Sequence, residues 1–316
     1  FGANSEGQLG TGNTFNSTTP VGVINLKGMK SVVAGNEFSM AMDSSGQVFT
    51  WGNNSFGQLG DGTYSDKDYP VKINVLNQIT SIASGYGHSL ALKHDSTLLS
   101  WGNNLDGQLG YGNNAVSNFP FAVVDLDNVV EICAGKAHSL ALKNDGTVWA
   151  WGDNDFGQLG DSTLTDRNKP VRVKGLANIT AIASGRNHNL ALDQNGHVWV
   201  WGKNEKGQLG TGNYVSALVP VRVEKMRNIV EISAGAIHSY ALDHNANLYA
   251  WGDNSKGQLG IPSISGTNQP MPLKLDANIM TISCGHYHNL ALETDYSLWG
   301  WGFNNEGQLG NDKTMD

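Results

Sequence analysis

The motif Trp-Gly-x-Asn-x-x-Gly-Gln-Leu-Gly stands at Trp51–Gly60, Trp101–Gly110, Trp151–Gly160, Trp201–Gly210, Trp251–Gly260 and Trp301–Gly310, and a copy with Phe1 for Trp opens the chain. Each copy begins 50 residues after the last, so the 316 residues form six tandem units and a 16-residue remainder. A strict period of this length implies stacked units, each of which buries its faces on its neighbours. Residues 1–316 therefore read as one continuous domain, since repeat assemblies are not bound by the usual size limit of a single core.

One unit, residues 120–152, shows what repeats. Pro120 opens a short apolar run, Phe121 to Val124, and Asp125 to Asn128 breaks it. Val129 to Cys133, His138 to Leu142 and Thr147 to Trp151 follow, each bounded by turn residues. Runs of this length with period-two alternation are strands, and nothing in the unit has helical periodicity. Asn144-Asp145-Gly146 is a tight hairpin turn, because its Gly accepts a positive φ. The unit is an antiparallel meander with Leu140 and Leu142 on one side and the smaller Ser139 and Ala141 on the other. Trp149 and Trp151 share a side, and a buried aromatic in each unit contributes roughly 2 to 3 kcal/mol by area.

Four-stranded sheets at this period, arranged radially, describe an all-β fold, a β-propeller. The expected blades are 20–52, 70–102, 120–152, 170–202, 220–252 and 270–302, with partial repeats at 1–16 and 303–316. Phe1-Gly2 reads as the tail of a last strand, and about 34 residues would be needed to run from the end of the chain back to its beginning. The ends thus fit a seven-bladed ring whose last blade is shared between the termini, with a closed six-bladed ring as the alternative.

The Trp-Gly motif, a Pro ten residues later, Gly-x-x-His-Ser-Leu-Ala-Leu and Asp-Gly-x-Val-Trp together resemble the regulator of chromosome condensation repeat, over the whole chain. The resemblance implies a β-propeller and, from the polar loops, a member of bacterial type. Members of that family include an exchange factor for the GTPase Ran, a plant ultraviolet-B photoreceptor, β-lactamase inhibitors and host-directed effectors. Equal 50-residue intervals leave no room for the wedge that the exchange factor inserts into one repeat. No tryptophan stands between the Gly and the His of any unit, so the photoreceptor's chemistry is not expected.

Composition narrows the partners. With 20 Lys plus Arg against 28 Asp plus Glu, a net charge of −8 and no basic run, nucleic acid is not an expected partner. No apolar run approaches the ~20 residues of a membrane span, so no membrane insertion is expected. Only 15% of residues are charged, and the loops are rich in Asn, Ser, Thr and Gly, which favours a secreted or cell-surface protein over a cytoplasmic one. Cys133 and Cys284 take positions that are Ala or Ser in other units, and read as free, buried thiols.

No catalytic residue, cofactor or metal site is expected. His88, His138, His188, His238 and His288 recur once per unit, with Phe38 in the first, which spreads them around a ring instead of converging them on one ion. They read as structural, each bonding within its own blade. Asp153-x-Asp155-x-Gly157 lacks the later ligands of a calcium loop, and no glycine-rich loop leads into a helix that could cradle phosphate.

Function is sought where equivalent positions disagree. Three sets do. The dipeptide between Gly and His includes Asn36 and Glu37, Tyr86, Lys136, Arg186 and Asn187, Ile237, and His286 and Tyr287. The pair before Gly-Gln-Leu-Gly includes Phe56 and Phe156, and the long loop after it carries Tyr64, Phe119 and Tyr214. In a meander all three emerge on one face of the disc. Exposed aromatic, basic and amide side chains on a rigid scaffold suit a non-enzymatic module that binds a protein partner. Nucleotide exchange on a small Ran-like GTPase and inhibition of an enzyme such as a β-lactamase are the alternatives.

Overall fold

Short β-branched runs closed by tight polar turns produce 23 strands and no helix among the described residues. The computed structural model describes every residue except Lys225, Ser263, Lys274, Asp276, Ala277 and Asp316. The strands form a β-propeller of six antiparallel blades, five with four strands and the sixth with three. In the second blade Ile79–Ser84 lies innermost, followed by His88–Lys93, Leu98–Gly102 and, outermost, Ser117–Ala122.

The blade bounds differ from those expected. Ser117–Ala122 pairs with Leu98–Gly102, so the Pro-bearing strand closes one blade instead of opening the next. The blades accordingly run 29–72, 79–122, 129–172, 179–222, 229–273 and 279–302, in place of the bounds 20–52 through 270–302. Proline explains the placement. The outer strand needs only one hydrogen-bonded edge, and its ladder skips from the Ser100–Phe121 pair to Gly102–Ser117, with Pro120 in the skipped stretch. The chain turns inward at the end of each outer strand, and Ile73, Val123, Val173 and Val223, just past their strands, and Leu273, the last of its own, are all buried.

The second aromatic of each strand-three pair is the buried one: Trp51, Trp101, Trp151, Trp201 and Trp251 are at most 3% exposed. Its partner lies nearer the surface, and Trp299 in the three-stranded blade is 43% exposed. Each buried indole crosses to the preceding unit. Trp101 Nε1 donates to the Gln58 carbonyl at 2.8 Å, and Trp51, Trp151, Trp201 and Trp251 repeat the bond to Gln8, Gln108, Gln158 and Gln208. In the fifth blade Tyr240 stands where other blades have Leu or Met. Its hydroxyl bonds the Gln258 carbonyl, and Trp301 Nε1 donates to that hydroxyl instead.

The recurring histidines also act between blades, not within one as expected. His88 Nε2 lies 2.9 Å from Ser139 Oγ, His138 Nε2 2.8 Å from Asn189 Oδ1, His188 Nε2 2.9 Å from Ser239 Oγ, and His238 Nε2 2.8 Å from Asn289 Oδ1. Ser139 in turn donates to the Gln108 carbonyl, and Asn189 to that of Gln158. Because each Ser proton and each Asn amide is already committed, the histidine must supply the proton at Nε2. Burial agrees, holding His88 and His188 down at about 3 and His138 and His238 at about 4. Only glycine fits above the ring: a Cβ on Gly85 would meet His88 Cε1 at 2.3 Å.

The loop after each Trp-Gly overhangs the next blade. Gly62 N donates to Asn118 O at 3.0 Å and Gly112 N to Asn168 O at 2.8 Å, and a Cβ on Gly57 would strike Asn118 Cα at 2.5 Å. The same bond closes the ring, from Asp312 N to Thr18 O at 3.0 Å. Gly310 packs on Phe1 as Gly60 packs on Trp101, and Gly2 pairs with Ser17, so the first residues sit between the sixth and first blades. Both cysteines are free, with burial pushing each thiol up to about 12.

Two outcomes test these joints. Ser139→Ala leaves the buried Nε2 proton of His88 without an acceptor and is expected to cost about 1–3 kcal/mol in urea unfolding, whereas Ser→Ala at exposed Ser55 should cost almost nothing. The second is pH dependence. A histidine held far below its ordinary 6.5 binds its proton only in the unfolded chain, so its stabilisation is complete above 6.5 and lost as pH falls towards the folded value of about 3 or 4. Each contributes up to ~1.4 kcal/mol per pH unit in that window. His288, held at about 4, adds to the effect, while Glu131, pushed up to about 7 by burial, and Asp106 and Asp153, raised by burial and neighbouring carboxylates, work oppositely, three groups against five histidines held at about 3 or 4. The urea midpoint should therefore fall steeply from about pH 6, before carboxylates with lowered pKa begin to protonate; a flat profile down to about pH 5 would contradict neutral, buried imidazoles.

Candidate functional site

Each innermost strand is followed by Gly and turns back through the variable dipeptide, which places six such turns around the mouth of the central channel. Their backbones are linked. Tyr86 N donates to Lys136 O at 3.3 Å, Lys136 N to Arg186 O at 3.0 Å, Arg186 N to Ala236 O at 3.2 Å and Ala236 N to His286 O at 3.0 Å. Five of the turns thus form a hoop of peptide hydrogen bonds, and their side chains are left to face the mouth and the solvent.

Those side chains converge. The Tyr86 hydroxyl lies 2.8 Å from His286 Nδ1, although the two belong to the second and sixth blades and are 200 residues apart. Their rings meet edge-on at 5.3 Å between centroids, and the Arg186 guanidinium carbon lies 5.8 Å from the centre of the Tyr86 ring. Burial lowers the pKa of His286, so its imidazole favours the neutral form. His286 also packs on Tyr287 at 4.4 Å, and Tyr287 on Phe303 at 6.4 Å. An aromatic arc from blade six meets a basic arc, Lys136 and Arg186, from blades three and four.

The second variable set joins the first. Phe56 is 39% exposed and leans over Gly87, while Lys203 Nζ sits 4.0 Å above the centre of the Phe156 ring. Lys136, Phe156, Arg186, Asn187 and Ile237 share the lining of one depression of about 310 Å³ with Asp153 and Lys203. Asn187 is nearly buried and donates to Asp153 Oδ2 at 3.2 Å. Burial, together with the charges of Asp155, Asp166 and Asp106, keeps the Asp153 carboxyl above the usual carboxylate range.

The third set lies elsewhere. Phe119 is on the outer strand Ser117–Ala122, 6.2 Å from Phe121, and Tyr111 meets Phe121 edge-on at 6.0 Å, an aromatic cluster on the perimeter of blade two. Tyr64 and Tyr214 are 53% and 57% exposed, on loops tied by Gly62 and Gly212 to the neighbouring outer strands. Asn36 and Glu37 are exposed on the first blade, where the Glu37 carbonyl accepts from Asn53 N at 2.8 Å.

Asp153, Lys203 and Phe303 were not singled out from the sequence as partner contacts. All three occupy the third position of the Trp-Gly motif, which is Asn53, Asn103, Asp153, Lys203, Asp253 and Phe303 in successive units, and that variation was the available signal. The carboxylates of Asp153, Asp155 and Asp166 lie within 4.8 Å of one another. Their oxygens are engaged locally, Asp166 by Asn154 N at 2.8 Å and Asp153 by Asp155 N at 3.0 Å. His88, His138, His188 and His238 take no part in this face, since their Nε2 atoms are engaged in the blade joints.

No curated protein matches the chain in sequence at a significant level. Among solved structures, yeast RCC1 (Prp20), determined with Kap60, is 24% identical with a TM-score of 0.89, covering 100% of this chain and 81% of its own. Human WBSCR16 is 22% identical with a TM-score of 0.87, over 100% of this chain and 91% of its own. Prp20p from Saccharomyces cerevisiae, in a study of its binding to Gsp1p and histones, is 21% identical with a TM-score of 0.69, over 97% of this chain and 92% of its own. At these identities the likeness is one of fold. The sequence pattern of the RCC1-like domain, however, matches residues 1–316, the whole chain, and the protein belongs to that family.

Proposed function

We propose that this protein is a non-enzymatic interaction module that binds a protein partner at the mouth of its central channel. The observation that carries the reading is the convergence of Tyr86, Arg186 and His286 from three blades onto one rigid hoop, beside a depression lined by Lys136, Phe156, Asn187 and Ile237. Rigid aromatic and Arg side chains around a recess are the composition of an interface centre. Asn36, Glu37, Phe56 and Tyr287 extend this surface, and Tyr64, Phe119 and Tyr214 supply an outer rim. The weakly charged, polar loops support a secreted or cell-surface protein of bacterial type.

A second reading, exchange activity on a small Ran-like GTPase, draws support from the family and from the Prp20p structure, whose study concerns binding to Gsp1p. Against it stands the even 50-residue spacing, with no inserted wedge.

Alanine at Tyr86, Lys136, Arg186 and Tyr287 together is expected to abolish partner capture from culture supernatant or cell extract. Stability should fall by little more than the ~1 kcal/mol of the Tyr86–His286 bond, because the hoop is backbone. Capture that persists in this variant would place the interface elsewhere. For the second reading, release of labelled GDP from a panel of small GTPases is expected to be unaccelerated at micromolar protein; acceleration would replace the first reading with the second.

A further inference from the structure

We propose that the occupant of this mouth is an acidic segment of the partner, a protruding loop that places one Asp or Glu carboxylate between Lys136 and Arg186. The inference rests on the reading of the mouth as an interface and names the chemistry it selects.

Charge pairing points to it. Eight Lys or Arg side chains have a carboxylate within 4.0 Å among the described residues, and Lys136 and Arg186 do not. They project from adjacent turns joined by the 3.0 Å bond from Lys136 N to Arg186 O, so their separation is held by the backbone. Arg186 is also presented in place, resting over Tyr86, which His286 anchors from across the channel. A preorganised guanidinium offers its paired N–H donors to a carboxylate with little ordering cost.

The depression sets the size and charge of what enters. At about 310 Å³ it takes a side chain and part of a loop, and its lining carries Lys136, Arg186 and Lys203 against Asp153 and Asp155. Lys203 is already held by Glu205 at 3.0 Å, so Lys136 and Arg186 are the cations left to meet an incoming anion, and a single carboxylate faces less repulsion from Asp153 and Asp155 than a dianionic phosphate would. Asp153 is occupied by Asn187 and the Asp155 amide, which leaves the basic wall as the unfilled part of the site. Ile237 and the Phe156 ring supply apolar contact for the rest of the loop.

The test uses a displayed library of random 12-residue peptides, selected on the intact protein and eluted by competition at the mouth. Enriched peptides are expected to carry Asp or Glu at a fixed position. Changing that residue to Asn or Gln, or changing the protein by Arg186→Ala, should each weaken binding by about tenfold to a hundredfold, the cost of a lost charge-assisted bond. Arg186→Lys should retain part of the affinity and binding should weaken with salt. Both side chains are solvent-accessible and the hoop does not use them, so an unchanged thermal midpoint will show that the variants are folded. Peptides that are lost with Tyr86→Ala or Tyr287→Ala, yet carry no acid or bind Lys136→Ala/Arg186→Ala undiminished, overturn the acidic segment and leave the interface standing. If no enriched peptide depends on any mouth residue, both readings fall.

Discussion

The ring depends on one backbone carbonyl per joint. The Gln in Gly-Gln-Leu-Gly offers its C=O to two donors from the next blade, the indole of Trp and the Ser or Asn that follows the recurring His. Because these groups are buried, an unmade bond costs the desolvation of its partner, so each blade is held in one position relative to the next. The remaining fixed residues serve that carbonyl. Asn54 accepts from Leu59 N and donates to the Thr63 carbonyl, which shapes the loop that presents Gln58, and Leu59 plugs the core below it. Where Tyr240 of the fifth blade intrudes at the joint with the sixth, its hydroxyl takes over the bond and Trp301 attaches to the hydroxyl, so the joint keeps its chemistry though not its residue.

The all-β class, the meander and the propeller were legible because period-two alternation, turn residues and a 50-residue repeat are all local or periodic signals. Which sheet the Pro-bearing strand joins was not. Ser117–Ala122 follows Gly102 across a long loop, and chain order alone does not say whether such a strand closes one blade or opens another. The histidine joint was hidden for a related reason. Its acceptor lies 51 residues away in another unit and alternates between Ser139 or Ser239 and Asn189 or Asn289, so it resembles drift until the two blades are seen side by side.

For the proposed site, sequence divergence pointed to the dipeptides and to Phe56 and Phe156, whose turns lie beside the motif loops. Phe119, also marked by divergence, stands on an outer strand at the perimeter, and Lys203 and Phe303 were passed over because the third position of a conspicuous motif is easily taken as filler. Divergence marks freedom from packing, and only geometry distinguishes freedom at the axis from freedom at the perimeter.

The amide hoop around the channel separates two duties that most binding sites combine. Peptide groups hold these five turns together, so the identity of residues 86, 136, 186, 236 and 286 has little bearing on whether the hoop forms. Such a rim behaves as a set of interchangeable sockets on a finished frame. A lineage, or a designer, can rewrite the residues at the axis one blade at a time, and each rewriting changes what is recognised without first having to solve the folding problem again.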